Sequence, residues 1–322
     1  MKTPSVTVII PNYNHVKFLH QRIDSVLNQT LSPLEIIILD DCSTDDSINV
    51  IKEYSNHPLV KHIIINNKNS GSPFLQWQKG IDLATGDWIW IAESDDYADE
   101  NFLFKMIKLA DQNPSAGLLY ANSALVHGEI VQTRTFADLK NEKLKTNRWS
   151  TSYFNQGIDE INSVLLPFGT INNTSVVLFK TSILKSIDIN DKPFKYIGDK
   201  YVFIKMLAKT NIAYLPNTLN FYRANPEGKP KYTTDFFHYT IEHFYILSWV
   251  KKNIKNLSDT SFQKTIEENC QFSILPLPPK RLSYFYKMMS TDFTLFIFLY
   301  GYNLKRTLKK FFKGITNSKM FY

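Results

Sequence analysis

Apolar and polar positions follow two alternating patterns along the first 125 residues of the chain. Short, continuously apolar runs rich in β-branched residues occur at 6–10, 35–39, 60–65, 88–92 and 117–125. Between them, apolar residues recur at helical spacing within 16–27, 48–54, 74–84 and 102–109. Apolar strand runs that alternate with helices are typical of a parallel sheet covered on both faces. We therefore predict an α/β fold with a mostly parallel central sheet and helices on both of its faces.

Residue preferences at helix ends predict where two of these helices begin or end. Ser43 or Thr44 is expected to cap the second helix at its N-terminus. Gly86 is placed to close the third helix at its C-terminus. These expectations rest on neighbouring residues alone.

The second half of the chain is less regular. Residues 126–165 are polar and aromatic without a clear period, and we interpret them as a variable insertion over the active face. The pattern returns with a strand at 175–179, a helix at 201–207 and a short strand at 212–215. We predict one catalytic α/β domain over residues 1–234 and a helical C-terminal extension over residues 235–322.

Polar clusters follow three of the predicted strands. Asn12-Tyr13-Asn14 follows the first strand, Asp40-Asp41 the second and Asp95-Asp96 the fourth. In an open parallel sheet, ligands bind outside the carboxyl ends of the strands. One acidic pair in a loop is usually solvated turn chemistry, but two pairs at one sheet edge predict a site. Carboxylates there could bind a divalent cation that neutralises a diphosphate.

Composition narrows the class of protein. Of the 322 residues, 43% are hydrophobic and 21% charged, which is ordinary for a globular protein and excludes a disordered one. Two cysteines, Cys42 and Cys270, are too few for a disulfide framework or a four-cysteine zinc site, so a reducing cytosol is favoured.

The net charge of +7 belongs to the C-terminal tail. Residues 276–322 contain nine Lys or Arg against Asp292 alone, a balance of +8 that leaves −1 for the remaining chain. This distribution argues against nucleic acid as a partner of the whole protein.

The tail is also amphipathic on a helical wheel. Its apolar side holds Phe293, Ile297, Tyr300, Leu304, Leu308, Phe311 and Ile315. Its basic side holds Lys305, Arg306, Lys309, Lys310 and Lys313. This pattern favours a helix lying on an anionic membrane surface, and the alternative is a helix that packs on its own domain. With no secretory signal and no apolar run of about 20 residues, we expect a cytoplasmic protein, peripheral at the inner face of the cell membrane.

Common nucleotide and hydrolase motifs are absent from the chain. It has neither Gly-x-x-x-x-Gly-Lys nor Gly-x-Gly-x-x-Gly, so a phosphate loop and a dinucleotide fingerprint are excluded. It also lacks the Gly-x-Ser-x-Gly elbow of many hydrolases. A nucleotide would therefore have to be held by carboxylates and a metal.

Four segments, taken together, carry a family resemblance. Residues 6–14, 38–46, 69–71 with 84–88, and 93–96 occur in the order and spacing of family-2 inverting glycosyltransferases. The chain resembles that family from about residue 4 to 225, which implies the nucleotide-sugar-binding fold called GT-A. It also implies transfer of a sugar from a nucleoside-diphosphate sugar to a hydroxyl of a glycan or lipid-linked acceptor, as in bacterial-type surface polysaccharide synthesis.

The resemblance implies roles for individual residues. The segment Pro11, Asn12, Tyr13 and Asn14 matches the one that lies against the nucleotide. Asp41 matches the carboxylate that hydrogen-bonds the base or ribose, and Asp95 the one near the ribose and diphosphate. Asp96 matches the final Asp of the DxD motif, which ligates Mg²⁺ or Mn²⁺; Ser94 stands at the first position of that motif.

The same resemblance gives a candidate catalytic base. Residues 196–201 resemble the Gly/Glu-Asp segment of the family, which makes Asp199 the base, and Tyr222-Arg223 resembles the Tyr-Arg that follows, with Arg223 assigned to the nucleotide sugar. Related sequences often have histidine where this chain has Asn225. An inverting transfer needs one general base for the acceptor hydroxyl. A plain helix N-cap is the alternative interpretation of Asp199.

Two other function classes remain open. A sugar-1-phosphate nucleotidyltransferase shares acidic metal sites and an α/β sheet, but it should carry a Gly-rich N-terminal loop where this chain has Pro11–Asn14. A non-catalytic sugar-binding protein of the same fold is the third interpretation. Release of nucleoside diphosphate, of pyrophosphate or of nothing distinguishes the three.

Overall fold

The computed structural model describes residues 4–223, 232–270 and 279–318. The chain forms two compact units, one of Met1–Ile161 with Thr170–Lys229 and one of Asn162–Gly169 with Pro230–Tyr322. Each is described by itself below. The sequence-based division into 1–234 and 235–322 stays a prediction.

The first unit contains a large sheet and the helices around it. Its strands are β1 Val6–Asn12, β2 Glu35–Asp40, β3 Val60–Ile65, β4 Trp88–Ile91, β5 Tyr97–Ala98, β6 Ala116–His127, β7 Ile130–Thr135, β8 Tyr153–Asn155, β9 Val177–Lys180 and β10 Asn211–Arg223. Its helices are α1 Val16–Leu27, α2 Ser47–Glu53, α3 Pro73–Leu83, α4 Phe102–Gln112, α5 Phe136–Leu144, α6 Gly157–Glu160, α8 Thr181–Leu184 and α9 Gly198–Leu207. The second unit holds α7 Leu166–Phe168, α10 Tyr232–Asn253, α11 Asp259–Asn269, α12 Pro279–Thr291 and α13 Phe293–Ser318.

The sheet runs in the order β3-β2-β1-β4-β9-β6-β10-β5, with β7 on β6 and β8 on β10. The pairs β3–β2, β2–β1, β1–β4 and β6–β10 are parallel, and β9 runs antiparallel between β4 and β6. Every residue of β1, β2 and β4 is buried, which explains why these strands are apolar without alternation. The mostly parallel α/β sheet expected from the sequence is confirmed.

Two expected helix caps are wrong. The N-cap of α2 is Asp46, because the Ser43 hydroxyl bonds Asp40 and the Thr44 amide bonds Asn14. Helix α3 ends at Leu83 with Ala84 as its C-cap, so Gly86 does not close it. A Cβ at Gly86 would lie 2.7 Å from the backbone nitrogen of Thr7, so this glycine serves the close approach of two chain segments.

The irregular segment after residue 126 is built into the sheet. Strand β7 pairs with β6 and β8 pairs with β10, both antiparallel. In the segment between β7 and β8, Trp149 is buried, and its indole Nε1 donates to the Tyr120 hydroxyl at 2.8 Å. The Glu160 carboxylate, fully buried, accepts hydrogen bonds from Asn155 and Arg148. Aromatic and polar contacts of this kind have no simple sequence period.

Helix α13 of the second unit has an apolar side that stays exposed. Leu295, Phe296 and Leu299 are buried. Four predicted apolar-side residues are exposed: Phe293 by 61%, Ile297 by 51%, Leu304 by 37% and Leu308 by 46%. The helix therefore packs on the chain through Leu295, Phe296 and Leu299, whereas these four residues do not, and the choice between membrane attachment and packing on the domain stays a prediction.

Part of the predicted tail lies outside what the structure describes. This holds for the side chains of Lys309, Lys310, Phe311, Lys313 and Ile315. Across residues 4–223, 232–270 and 279–318, every helix is too short or too polar to cross a bilayer.

Candidate active site

A cavity of about 370 Å³ lies at the carboxyl ends of β1, β2 and β4. Four residues predicted from the sequence line it: Pro11, Asn12, Tyr13 and Asp41. The rest of the lining is His15, Asn69, Gly71, Ser72, Pro73, Gln76, Glu93, Ser94 and Lys195. The cavity thus gathers the predicted residues that follow β1 and β2, as the topology of a parallel sheet requires. The other predicted site residues are not part of its lining: Asn14, Asp95, Asp96, Asp199 and Arg223.

The loop after β1 is held by its own asparagines. Asn12 Nδ2 donates to Asp40 Oδ2 at 2.8 Å, and Asn14 Oδ1 accepts from the Thr44 backbone nitrogen at 2.7 Å. Asn14 has a φ of 58°, a left-handed conformation that Asn tolerates. Tyr13, by contrast, is 44% exposed. Tyr13 is therefore available to a ligand, whereas the Asn14 side chain ties this loop to the one after β2.

The Asp41 carboxylate holds the wall of the cavity. Its Oδ1 accepts from Asn66 Nδ2 at 2.6 Å, Gln76 Nε2 at 2.8 Å and the Ser70 backbone nitrogen at 2.9 Å. Its Oδ2 accepts from the Ser70 hydroxyl at 2.8 Å. These bonds occupy most of the acceptor sites of a carboxylate. Asp41 therefore positions residues 66–76, and its predicted contact with a base or ribose stays a prediction.

Three carboxylates follow β4 within four residues: Glu93, Asp95 and Asp96. Asp96 is buried, and it accepts from Asn173 Nδ2 and from the backbone nitrogen of Arg223, each at 3.1 Å. Burial and the charge of Asp95 raise the pKa of Asp96 to about 6. Burial and Asp95 also raise the pKa of Glu93 to about 8. These raised pKa values mean that the charged carboxylates of this loop disfavour one another, and a cation bound between Asp95 and Asp96 would favour their ionised forms.

Arg22 is a residue of this site that the sequence reasoning missed. It is fully buried on α1, and its Nε donates to the Glu93 carbonyl at 2.8 Å. Neither terminal guanidinium nitrogen has a hydrogen-bond partner in the described part of the chain. Burial lowers the pKa of Arg22 to about 10, against the opposite effect of the Asp96 and Asp95 charges. Arg22 is therefore a fixed positive charge behind the acidic loop.

A sequence signal for Arg22 existed. Position 22 falls on the same helical side as Leu19, Ile23 and Val26, all of which are buried. A charged residue within a buried stripe is rarely placed there without a charged or polar partner.

Arg223 holds the acidic loop from the other side. Its Nη1 donates to the Asp95 carbonyl at 2.7 Å, and its Nη2 donates to Gln21. The guanidinium lies 4.6 Å from the ring centre of Phe18 and 4.9 Å from that of Tyr97. These contacts position the loop, and a direct contact of Arg223 with a nucleotide sugar stays a prediction. Asn225 lies outside the described residues.

Asp199 lies in the first turn of α9. The N-cap of this helix is Ile197, so the interpretation of Asp199 as a plain N-cap is wrong. A Cβ at Gly198 would lie 2.4 Å from the Phe74 ring, so glycine lets α9 start against α3. Burial and the charges of Asp96, Asp95 and Asp199 together raise the pKa of Tyr222 to about 12. The charge of Asp199 therefore acts on the Tyr222 phenol together with the charges of Asp95 and Asp96.

The residues present fit a divalent cation of the magnesium type. Within residues 4–223, 232–270 and 279–318, no group of three or more His, Cys, Asp and Glu side chains is arranged to hold a metal. Mg²⁺ in nucleotide sites is commonly bound by one or two carboxylates together with substrate phosphates. Asp95 and Asp96 supply two carboxylates whose mutual repulsion a cation would relieve.

A known protein family matches the part of the chain that contains most of the cavity residues, but it does not reach Lys195, Asp199 or Arg223. The family model "Glycosyl transferase family 2" matches residues 7–157. Chondroitin synthase of Escherichia coli is 38% identical over 99 residues, 30% of this chain and 14% of that protein. An uncharacterized glycosyltransferase of Haemophilus influenzae is 30% identical over 145 residues, 45% of this chain and 53% of that protein. The chain thus spans about half or less of these relatives.

Solved structures show the same fold. The crystal structure of Staphylococcus aureus TarS 1-349 has 19% sequence identity and a TM-score of 0.63, covering 89% of this chain and 79% of that one. TarS structures in complex with UDP and with UDP-GlcNAc have TM-scores of 0.61 and 0.62. The fold expected from the sequence, GT-A with C-terminal helices, is confirmed.

Proposed function

We propose, from the premise that the chain belongs to glycosyl transferase family 2, that it transfers a sugar from a UDP-sugar to a hydroxyl of a glycan with inversion at the anomeric carbon. The observation that carries this proposal is the position of the acidic loop: Glu93 and Ser94 line a cavity of about 370 Å³ at the carboxyl ends of the strands, and Asp95 and Asp96 follow them directly. The TarS complexes with UDP and UDP-GlcNAc support the uridine donor.

Each residue of the site would have its own role in the transfer. Asp199 removes the proton from the acceptor hydroxyl as its oxygen attacks the anomeric carbon opposite the diphosphate. A single carboxylate suffices, in contrast to the two of a glycosidase. Tyr13 and the wall held by Asp41 bind the nucleotide, and Arg22 and Arg223 fix the loop that faces the diphosphate.

A divalent cation, Mg²⁺ or Mn²⁺, would be held by Asp95 and Asp96 and would neutralise charge on the diphosphate as it leaves. Without it, the leaving diphosphate would meet the negative loop directly. The requirement is tested by calorimetric binding of UDP with Mn²⁺ and with a chelator.

The acceptor class is suggested by the relatives. They include a chondroitin synthase and two poly(ribitol-phosphate) glycosyltransferases, whose names give a polymer as the product or the acceptor. We propose a surface glycan or a lipid-linked precursor of one as the acceptor.

The experiment that tests the proposed function is a product assay. The full chain is supplied with a panel of UDP-sugars, Mn²⁺ and candidate acceptors, and the released small molecules are quantified. UDP release that depends on an acceptor supports the transferase. Release of pyrophosphate from a sugar 1-phosphate and UTP would identify the nucleotidyltransferase, and binding without release would identify a sugar-binding protein.

We also propose that α13 attaches the protein to an anionic membrane. Phe293, Ile297, Leu304 and Leu308 are exposed on one side, and Lys305 is exposed next to them. Burying a large apolar side chain in the interface contributes about 1.5–3 kcal/mol, and a Lys or Arg near anionic lipid adds about 1 kcal/mol.

Flotation with phosphatidylglycerol vesicles tests the attachment. The double variant Phe293→Ser with Ile297→Ser should lose most of its vesicle binding. Phe104→Ser is the matched control, because Phe104 is 54% exposed on α4 of the other unit. Equal binding by the wild type and both variants would end this part of the proposal.

A further inference from the structure

His15 and Ser94 contact each other in the lining of the cavity, and neither has a role in the proposed function. Ring atom Nδ1 of His15 lies 2.8 Å from the Ser94 hydroxyl, and both residues line the cavity. Ser94 is buried, and this is its one side-chain hydrogen bond among the described residues. The pair joins two segments 79 residues apart in the sequence.

The pair lies at the side of the cavity nearest the acidic loop. The strand order β3-β2-β1-β4 places the loops after β2 and β3, with Asp41 and Asn69, on one side. The loop after β4, with Ser94, is on the other, and His15 follows β1 between them. Because Ser94 directly precedes Asp95, His15 is near the loop that faces the diphosphate in the proposed function.

The chemistry of His15 suits a phosphate oxygen. When the Ser94 hydroxyl donates to Nδ1, the proton of a neutral imidazole is on Nε2. Nε2 makes no hydrogen bond within the described part of the chain. His15 also directly precedes α1, a helix of 12 residues without an acidic side chain in its first turn. The first backbone amide of that helix, Val16, already donates to Asp45 Oδ2 at 3.0 Å, so the donor left for a further anion is His15 Nε2.

We propose that His15, oriented by Ser94, donates a hydrogen bond from Nε2 to the diphosphate of the nucleotide donor. The inference rests on the proposed function, because it takes the cavity to be the nucleotide site. Ser94, at the first position of the acidic motif, then acts as the positioning residue for a histidine and not as a metal ligand.

Calorimetry with UDP and with uridine tests the inference. His15→Ala should weaken UDP binding on the order of tenfold, the effect of losing one hydrogen bond to a charged group. Uridine binding should stay within about twofold, because uridine has no phosphate. Ser94→Ala should give a smaller loss for UDP alone. His15→Gln, which keeps an N–H donor, should recover part of the affinity.

His20→Ala is the matched control, because His20 lies on α1 five residues after His15, is exposed, and its Nδ1 lies 2.9 Å from the Tyr54 hydroxyl. His20 is not among the residues that line the cavity. Wild-type affinity of His15→Ala for UDP would overturn the inference, and so would an equal loss for UDP and uridine. If His15→Ala fails to fold, Ser94→Ala and His15→Gln decide by the same UDP-to-uridine comparison. Failure of the wild type to bind UDP would refute the uridine donor of the proposed function and this inference together.

Discussion

Replacing Asp41 tests whether its carboxylate, in the loop after β2, holds residues 66–76 in place as one wall of the cavity. Its carboxylate is 5% exposed and accepts hydrogen bonds from Asn66, Ser70 and Gln76 at 2.6–3.0 Å. Asp41→Ala removes the acceptor from all three partners and leaves their donors in a poorly solvated place. Asp41→Asn keeps one acceptor oxygen but turns the other into a donor that faces the Ser70 amide.

The expected magnitudes follow from those bonds. A hydrogen bond to a charged group contributes about 1.5–3 kcal/mol, and an unsatisfied buried donor costs about 1–3 kcal/mol. We expect Asp41→Ala to lower the free energy of unfolding by about 3–5 kcal/mol and Asp41→Asn by about 1–2 kcal/mol. Both should weaken UDP binding, because residues 66–76 form one side of the cavity.

The assay is urea unfolding of each variant, followed by calorimetry with UDP. Asp82→Ala is the control, because this exposed residue of α3 accepts one hydrogen bond from Gln78 at 2.7 Å. That control should change the free energy of unfolding by about 0.5 kcal/mol or less. If Asp41→Ala is no less stable than Asp82→Ala, the carboxylate does not hold the wall and the reasoning fails.

Three further predictions concern charged groups. Burial lowers the pKa of Lys140 from 10.5 to about 7. Between pH 7 and pH 10.5 the unfolded chain therefore binds more protons than the folded one, and the free energy of unfolding should rise with pH. Lys140→Met should flatten the curve of unfolding free energy against pH in this range. Asp96→Ala should abolish the gain in UDP affinity on adding Mn²⁺, and calorimetry showing an intact gain would exclude Asp96 as a ligand. Arg22→Met should destabilise more at pH 8 than at pH 5, because the nearby carboxylates lose their counter-charge; thermal unfolding that shows equal losses would contradict this.

The sequence predicted most of the sheet because continuous apolar runs are a strong signal. Residues 6–10 and 35–39 correspond to β1 and β2 within two residues at each end. Helix ends were less predictable, since long-range contacts overrode local preference. The Ser43 hydroxyl is engaged by Asp40 and Asn12, and Gly86 is required by a strand 79 residues away.

The candidate site was predictable as far as strand ends could locate it. Asp41 and Asp95 were found because polar clusters after parallel strands meet at one edge. Arg22 was missed although its place within a buried helical stripe was a signal. His15 was missed because its contact is with Ser94, 79 residues away in the sequence. The hydrogen bond that the buried Asp96 accepts from Asn173 was not predictable either, because no local pattern connects residues 77 positions apart.

The most direct test of the account is the turnover of Asp199→Asn. The variant keeps the size of the side chain and removes the general base, so the rate of transfer from a UDP-sugar should fall by about 10²- to 10⁴-fold. Binding of the UDP-sugar, measured by calorimetry on the same preparation, should stay within about twofold. Turnover like that of the wild type would contradict the account, because Asp199 would then not be the base and the site would need another.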